Sequence, residues 1–364
     1  MMILRKDSDN GYTPKREGFR MPAEWERQDA IWLSWPHNTE WWGEEISRMD
    51  AIYGQWAKMF CDDQGVRILV PSKEVEQRAR QVLESVGVLE QKVKFYPIST
   101  GEIFIRDYGP TFVVRDATGE KAMVCWDFNA WGGKYESSLN DAYVPYLMNE
   151  YLHLPLFCPG IVMEGGSIDV NGRGCVLTTE SVLLNKNRNP ELGKSELEKY
   201  LCDYLNVEKV LWLNQGLEGD DTDGHIDDIA RFVNARTILC AYEEDTTDVN
   251  YAALHENYER LVTMRDVGGG LFDVVRMPMA KVVAEEHLHT GNSRKPASYL
   301  NFYIGNKMVA VPIFGGEHDE RALEIIGRYF PDRRVAGIDC SKMVLDGGTL
   351  HCASQQEPAC ERKF

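Results

Sequence analysis

A cysteine, a histidine and several carboxylates, each in a turn-forming context, are the residues of this chain equipped for chemistry. In Asp346-Gly-Gly-Thr-Leu-His-Cys352 the paired glycines permit a sharp turn and close backbone approach, and a short apolar–polar alternation then leads to Cys352. Ser354, Gln355, Gln356 and Pro358 follow, a polar stretch unlike core, so the thiol reads as delivered by a strand end onto a loop. To attack, a thiol must lose its proton, and a pKa of ~8.5 falls only beside a cation or a hydrogen-bond donor. Most cysteines are simply small buried residues. A partner therefore has to come from elsewhere in the chain.

The run from Gly219 to Phe232, Gly-Asp-Asp-Thr-Asp-Gly-His-Ile-Asp-Asp-Ile-Ala-Arg-Phe, offers one. Aspartates crowd around His225 between Asp220 and Asp228, and an apolar strand-like run begins beyond them. His225 and Asp227 are two apart, which on a strand puts both on one face. A histidine held by carboxylates serves as general acid and base. The plainer readings are a solvated acidic turn or a cation loop. The run lacks the spacing and terminal glutamate of an EF-hand, but a divalent hydrolytic site built on His225, Asp227 and Asp228 stays open.

Two more acids stand before glycines. Arg106-Asp107-Tyr-Gly-Pro110 precedes a strand-like run, and its charged pair reads most simply as fixing a corner. Met163-Glu164-Gly-Gly-Ser167 places a carboxylate in a strand context, where burial is costly without a partner such as a histidine. Trp32, Trp35, Trp41 and Trp42 read as core packing. His287 and His289 share strand periodicity without further ligand residues, so no metal role is expected of them. Gly268-Gly-Gly270 lacks the Lys-Ser/Thr of a phosphate loop.

The elements that must position these groups are legible from periodicity. Runs of branched and aromatic residues predict strands at 30–35, 66–70, 94–98, 111–114, 123–128, 176–179, 209–213, 237–242, 272–277, 299–304 and 308–313. Amphipathic patterns predict helices at 46–60, 73–86, 194–204, 248–264 and 318–329, the last stopped by Phe330-Pro331-Asp332. Strands and helices alternate throughout, which gives an α/β class. Neighbouring strands across Gly305-Asn306 signal a hairpin, hence mixed sheets. No linker divides the chain, so one domain is expected. Glu164-Gly-Gly-Ser-Ile168 returns as Asp346-Gly-Gly-Thr-Leu350, which points to a repeated unit.

Composition narrows the function classes. The 364 residues carry 40 basic and 57 acidic side chains, a formal charge of −17, with 43% hydrophobic residues. Such a chain can bury a sizeable core. Its negative balance disfavours nucleic acid and anionic membranes and attracts cations. No stretch approaches the roughly 18–20 apolar residues of a membrane span, and Met1 to Leu4 is too short for a signal-peptide core. Nine cysteines, an odd number without CxxC pairs, read as reduced thiols, so a cytoplasmic location is expected.

Several stretches, in one order, resemble the agmatine deiminase family, close to the bacterial peptidylarginine deiminases and within the guanidino-modifying superfamily. They are MPAEWE at Met21, RDYGPTFVV at Arg106, WDFNAWGGKY at Trp126, EGGSIDVNGRG at Glu164, TTESVLLNKNRNP at Thr178, DGHIDDIARF at Asp223, SYLNFYIGN at Ser298 and GGTLHCASQQEP at Gly347. The resemblance runs from about Met21 to Pro358. It implies an α/β propeller of five ββαβ-type modules with pseudo-fivefold symmetry, residues 1–20 being an N-terminal extension and 21–364 the catalytic domain. It implies Cys352 as nucleophile and His225 as general acid/base, with Glu164 orienting and charge-stabilising His225, and Asp107 and Asp227 gripping a guanidinium. Phe104 stands where the family usually carries tryptophan, and Asp221 where a glutamate is expected near the substrate's amine end. Both departures bear on substrate identity. The implied reaction is hydrolysis of agmatine to N-carbamoylputrescine and ammonia through an amidino-cysteine, in putrescine and polyamine biosynthesis, with no metal or other cofactor. Peptidylarginine or free arginine, giving citrulline, are the alternatives, followed by a metal-dependent amidohydrolase. The expected partner is a small cationic guanidinium compound, not nucleic acid or membrane, and a homo-oligomer is compatible with it.

Overall fold

The computed structural model describes residues 11–282 and 294–360, and within that span the side chain of Trp41 lies outside the described residues, as do His287 and His289. Sixteen strands form five small sheets. The first contains β1 (Gln28–Ser34), β2 (Gly65–Leu69) and β3 (Val93–Tyr96). The second contains β4 (Thr111–Arg115), β5 (Glu120–Val124) and β6 (Leu156–Phe157), the third β7 (Asp169–Val170), β8 (Cys175–Thr179) and β9 (Lys209–Leu213). The fourth contains β10 (Ala230–Phe232), β11 (Thr237–Tyr242) and β12 (Asp273–Pro278), the fifth β13 (Tyr303–Ile304), β14 (Met308–Ile313) and β15 (Arg334–Asp339). The last strand, β16 (Ser354–Pro358), returns to pair with β1, so the chain's end closes its first sheet.

One pairing rule repeats. A short edge strand lies antiparallel to a central strand, and the central strand is parallel to the next. Parallel neighbours need a crossover, and helices supply it. Helix Ile46–Phe60 joins β1 to β2, Lys194–Leu205 joins β8 to β9, Tyr251–Thr263 joins β11 to β12, and Asp319–Tyr329 joins β14 to β15. The central strands β8 and β11 are buried along their whole length, which is why they read as near-continuous apolar runs. Helix Asp319–Tyr329 stops at Phe330 because Pro331 cannot continue it. Trp32, Trp35, Tyr53, Trp56 and Phe60 pack in one buried cluster, and Trp42 is buried beside them. No helix among the described residues is long and apolar enough to cross a membrane.

The result is a mixed α/β single domain, as expected, with the hairpin across Gly305-Asn306 in place. Two expectations are corrected. The run 299–304 is a strand only at Tyr303–Ile304; just before it the Ser298 hydroxyl donates to the Asp228 carbonyl at 2.7 Å. The polar stretch after Cys352 is no loop but the fully buried β16. Its side chains find distant partners: Arg106 donates to Gln355 Oε1 at 2.7 Å and Gln356 Oε1 at 2.5 Å, and Glu357 accepts from Trp32 Nε1 at 3.0 Å and pairs with Arg67 and Lys121. Within the N-terminal extension, Phe19 is buried, and Arg20 bridges to Val114 and pairs with Glu26 and Asp116.

Candidate functional site

Each candidate residue stands in the turn that enters an edge strand. Asp107 lies in the single helical turn Ile105–Tyr108 before β4, and Glu164 precedes the 3-10 turn Gly165–Ser167 before β7. His225 and Asp227 belong to the 3-10 turn Ile226–Asp228 and its entry, before β10, and Cys352 lies in the turn before β16. The expected strand face for His225 and Asp227 is thus replaced by a turn. Its entry is fixed because the His225 N–H donates to Asp220 Oδ2 and Thr222 Oγ1, each at 3.2 Å. Cys352 precedes a strand instead of ending one. The two Gly-Gly copies occupy matching places, before β7 and before β16.

Gly166 explains how these turns meet. A Cβ there would lie 2.5 Å from His225 Nδ1, 2.9 Å from Asp107 Oδ1 and 3.2 Å from Asp227 Oδ2. Three side chains therefore fill the space that any other residue would need. The Gly166 N–H donates to Asp107 Oδ1 at 3.0 Å, and Trp131 Nε1 donates to Asp107 Oδ2 at 2.9 Å. Trp131 reaches that point from a left-handed backbone, φ 54°, after Ala130 at φ 56°. Such values are uncommon without glycine; here the Asn129 side chain caps the bend by accepting from the Gly132 N–H at 2.8 Å.

The electrostatics follow from this crowding. The buried His225 ring has Nδ1 3.6 Å from Asp107 Oδ1 and Nε2 3.7 Å from Glu164 Oε2, ion-pair separations longer than hydrogen bonds. Burial pulls its pKa down, but Asp107 and Glu164 outweigh that and raise it to about 9. The ring is therefore an imidazolium at neutral pH. Burial pushes Asp107 up to about 6 against the pull of His225. Burial also works on Glu164, but His225 and Arg188 hold it below the usual carboxylate range, with Arg188 Nε donating to Oε1 at 2.6 Å. Asp227 is lowered too: the His351 ring, at 2.7 Å from Oδ2, and His225 outweigh burial. The other nitrogen of His351 meets Glu24 Oε2 at 2.8 Å. Cys352 Sγ lies 3.5 Å from Asp227 Oδ2. Burial and the charges of Asp227, Asp228 and Asp107 push its thiol well up.

Asp107 and Cys352 open onto a narrow cleft. Phe104, Trp131 and Tyr135 give it aromatic walls, and Glu102, Asp221 and Asp346 give it carboxyl groups, with Lys295 near enough to Asp346 to pull against the burial that pushes that acid up. Phe104 meets Trp131 edge-on, and Asp221 Oδ2 accepts from the Tyr135 hydroxyl at 2.8 Å. The structure thus gathers Cys352, His225, Glu164, Asp107 and Asp227 into one buried group and sets Phe104 and Asp221 on the cleft. Arg106 parts from its neighbour Asp107, since its guanidinium is spent on β16 and on the His351 carbonyl at 3.2 Å.

The potential cation ligands that converge among the described residues are Asp227, Asp228 and Cys352, whose donor atoms lie within 4.8 Å of one another. His225 is not among them. Without a cation, burial and the charges of Asp227 and Asp220 push Asp228 strongly toward its neutral acid, whose proton a bound cation would have to displace. Trp131, Arg188, Asn301, His351 and Gly166 are parts of the site to which sequence reasoning gave no role. All lie inside stretches quoted for the family resemblance, which is the signal that marks them.

Comparison with known proteins is consistent with this arrangement. The family model of the Porphyromonas-type peptidyl-arginine deiminase matches residues 20–358. An agmatine deiminase of Medicago truncatula is 36% identical, over 95% of this chain and 98% of the relative. One of Pseudomonas syringae pv. tomato is 35% identical, over 95% and 97%. The structure of an agmatine deiminase of Enterococcus faecalis, described as catalysing its reaction, superposes with a TM-score of 0.87 at 35% identity, covering 96% of this chain and 98% of that one. A cysteine-to-serine variant of the C. jejuni agmatine deiminase with substrate bound gives 0.84 at 29% identity, covering 94% and 97%.

Proposed function

Since the chain belongs to the Porphyromonas-type peptidyl-arginine deiminase family, we propose that it is an agmatine deiminase, releasing ammonia and N-carbamoylputrescine in the route to putrescine. The observation that carries this reading is the convergence of Asp107, Asp227 and His225 on Gly166, with the Cys352 sulfur 3.5 Å from Asp227. A guanidinium is cationic at every physiological pH, and resonance makes its carbon a poor electrophile. Asp107 and Asp227 hold its N–H groups in planar forks and fix the carbon for attack. Its charge, set among the acids that suppress thiol ionisation, lets Cys352 release its proton to solvent. The thiolate adds to the carbon, and the His225 imidazolium, backed by Glu164, donates a proton so that ammonia leaves and an amidino-cysteine remains. Neutral His225 then takes a proton from water. The resulting hydroxide adds to the same carbon, the thiolate is expelled, and the proton of the new C–O–H group passes to it, leaving the neutral ureido product and the starting thiol.

The cleft favours a substrate with a cationic tail. Aromatic walls suit four methylenes, and Asp221 suits an ammonium and opposes the carboxylate of free arginine, while Glu102 and Asp346, pushed well up by burial and by neighbouring acids, offer it hydrogen-bonding oxygens. Assay with agmatine, arginine and an arginine peptide, reading ammonia and ureido product, is the test. Turnover of the peptide with none of agmatine refutes the substrate, and undiminished turnover by Cys352→Ala refutes the mechanism. The grouping of Asp227, Asp228 and Cys352 supports a second reading, a metal-dependent hydrolase. That reading requires EDTA to abolish the reaction while alkylation of Cys352 spares it.

The same reading extends to architecture and location. Five sheets with one pairing rule, each entered by a turn that reaches the site, support a five-module propeller about a pseudo-fivefold axis. A crystal structure whose edge strands do not ring one axis contradicts it. Nine cysteines, none joined in a disulfide, support a reducing, cytoplasmic setting, which cell fractionation tests.

A further inference from the structure

Asn301 lies in the turn before β13, the one entry turn with no part in the mechanism above. Its carboxamide is fixed from one side. Oδ1 accepts from the Thr349 hydroxyl at 2.8 Å, the His351 N–H at 3.0 Å and the Cys352 N–H at 3.2 Å. Backbone N–H groups must face an oxygen, so this amide cannot be flipped, and its NH₂ is left to face Cys352 Sγ at 3.0 Å. The side chain is fully buried, so no bulk water competes for that donor. The other groups around the sulfur oppose its ionisation: Asp107 from the turn before β4, and Asp227 and Asp228 from the turn before β10. His225 stands behind Asp107, 3.6 Å from it.

We propose that Asn301 is a catalytic residue of this site, whose N–H donates to the Cys352 sulfur, aims it, and holds its charge once the thiolate forms. A neutral donor is what the position calls for. A lysine or arginine here would compete with the substrate cation for Asp107 and Asp227, whereas an amide stabilises sulfur and leaves those carboxylates free. Because the same amide anchors residues 349–352, donor and nucleophile move as one body. The inference rests on Cys352 acting as the nucleophile of the deiminase reading.

The test compares wild type with Asn301→Ala and Asn301→Asp; the aspartate keeps the anchoring oxygen but loses the N–H. The rate at which iodoacetamide modifies Cys352, read by mass spectrometry of its peptide from pH 6 to 11, gives the ionisation midpoint without any turnover. A hydrogen bond to a charged group is worth roughly 10–100-fold. The midpoint is therefore expected to rise by about one to two pH units in Asn301→Ala, and kcat on agmatine to fall roughly 10–100-fold with KM little changed, because Asp107 and Asp227 still hold the cation. In Asn301→Asp the rate at low pH is expected to exceed that of the alanine variant, where a protonated carboxyl can donate. An unchanged midpoint in folded Asn301→Ala overturns the proposal. Failure of both variants to fold, read by circular dichroism, makes Asn301 a structural anchor and overturns it too. An inactive wild type with a shifted midpoint sinks the substrate reading and leaves this one standing.

Discussion

Replacing Gly166 by alanine isolates the geometry on which the site depends. The new Cβ would sit 2.5 Å from His225 Nδ1, whereas ordinary contact begins near 3.4 Å. The ring, or the turn carrying it, must therefore retreat by about 0.9 Å, and Asp107 Oδ1 by about 0.5 Å, to relieve overpacking. A misplacement of about 1 Å costs on the order of 10²-fold in rate. We expect kcat/KM for agmatine to fall by about that factor. Overpacking costs roughly 1–3 kcal/mol. For a chain of 364 residues, unfolding entropy near 2.1 cal/mol/K per residue sums to about 0.76 kcal/mol/K, so the melting temperature should drop only ~1–4 °C. Gly165→Ala separates site from fold, since its Cβ would meet the Arg106 carbonyl oxygen at 2.1 Å, and backbone cannot rotate aside. That variant should lose far more stability. The assays are ureido product release and a thermal melt. If Gly166→Ala keeps kcat/KM within about fivefold of wild type at an unchanged melting temperature, the three side chains are not held against that backbone and the reasoning fails.

Three further predictions follow from the same contacts. With Cys352→Ala, which removes the thiol, affinity for guanidinium tracks Asp107 ionisation: with its pKa raised to about 6, binding levels off above that pH and weakens up to about tenfold per unit below it, and a flat profile from pH 4.5 to 8 in calorimetry refutes this. Arg188→Met leaves Glu164 buried without its 2.6 Å partner, a loss of roughly 3–5 kcal/mol, hence ~4–7 °C by the entropy above; a melt within 1 °C of wild type refutes it. Asp221→Asn should raise KM for agmatine about tenfold while hardly changing KM for butylguanidine, which lacks the amine, and equal effects on both would remove Asp221 from tail recognition.

What the sequence disclosed divides along one physical line. Lys209–Leu213, Thr237–Tyr242, Met308–Ile313 and helix Ile46–Phe60 are legible because burial on a regular element imposes a local period on neighbouring residues. β16 is not, since Ser-Gln-Gln-Glu-Pro has the composition of a loop, and its burial is licensed by partners distant in sequence: Trp32 and Arg67 on β1 and β2 of its own sheet, Arg106 in the turn before β4, and Lys121 on β5. The same holds at the site. Cys352, His225, Glu164, Asp107 and Asp227 stand out by type and by family resemblance. Trp131 on Asp107, Arg188 on Glu164 and Asn301 on Cys352 are contacts across long stretches of chain, and spacing carries no trace of them.

The electrostatics of the site bear on why such distant groups are brought together. Asp107, Asp227 and Asp228 lie around a sulfur whose ionisation they oppose, and Asp107, Glu164 and Asp227 favour the charged form of His225. A nucleophile ready in advance would expose a thiolate to any electrophile that enters the cleft. On the proposed reaction, Asp107 and Asp227, which would grip the guanidinium, are also among the groups that oppose ionisation of the thiol, so one cation would complete the binding fork and remove the repulsion in a single event. Ligands without positive charge satisfy neither condition. Selectivity for a guanidinium would then reside in the ionisation of Cys352 as well as in the shape of the cleft, and a neutral isostere of agmatine should bind weakly and also fail to speed the alkylation of that thiol.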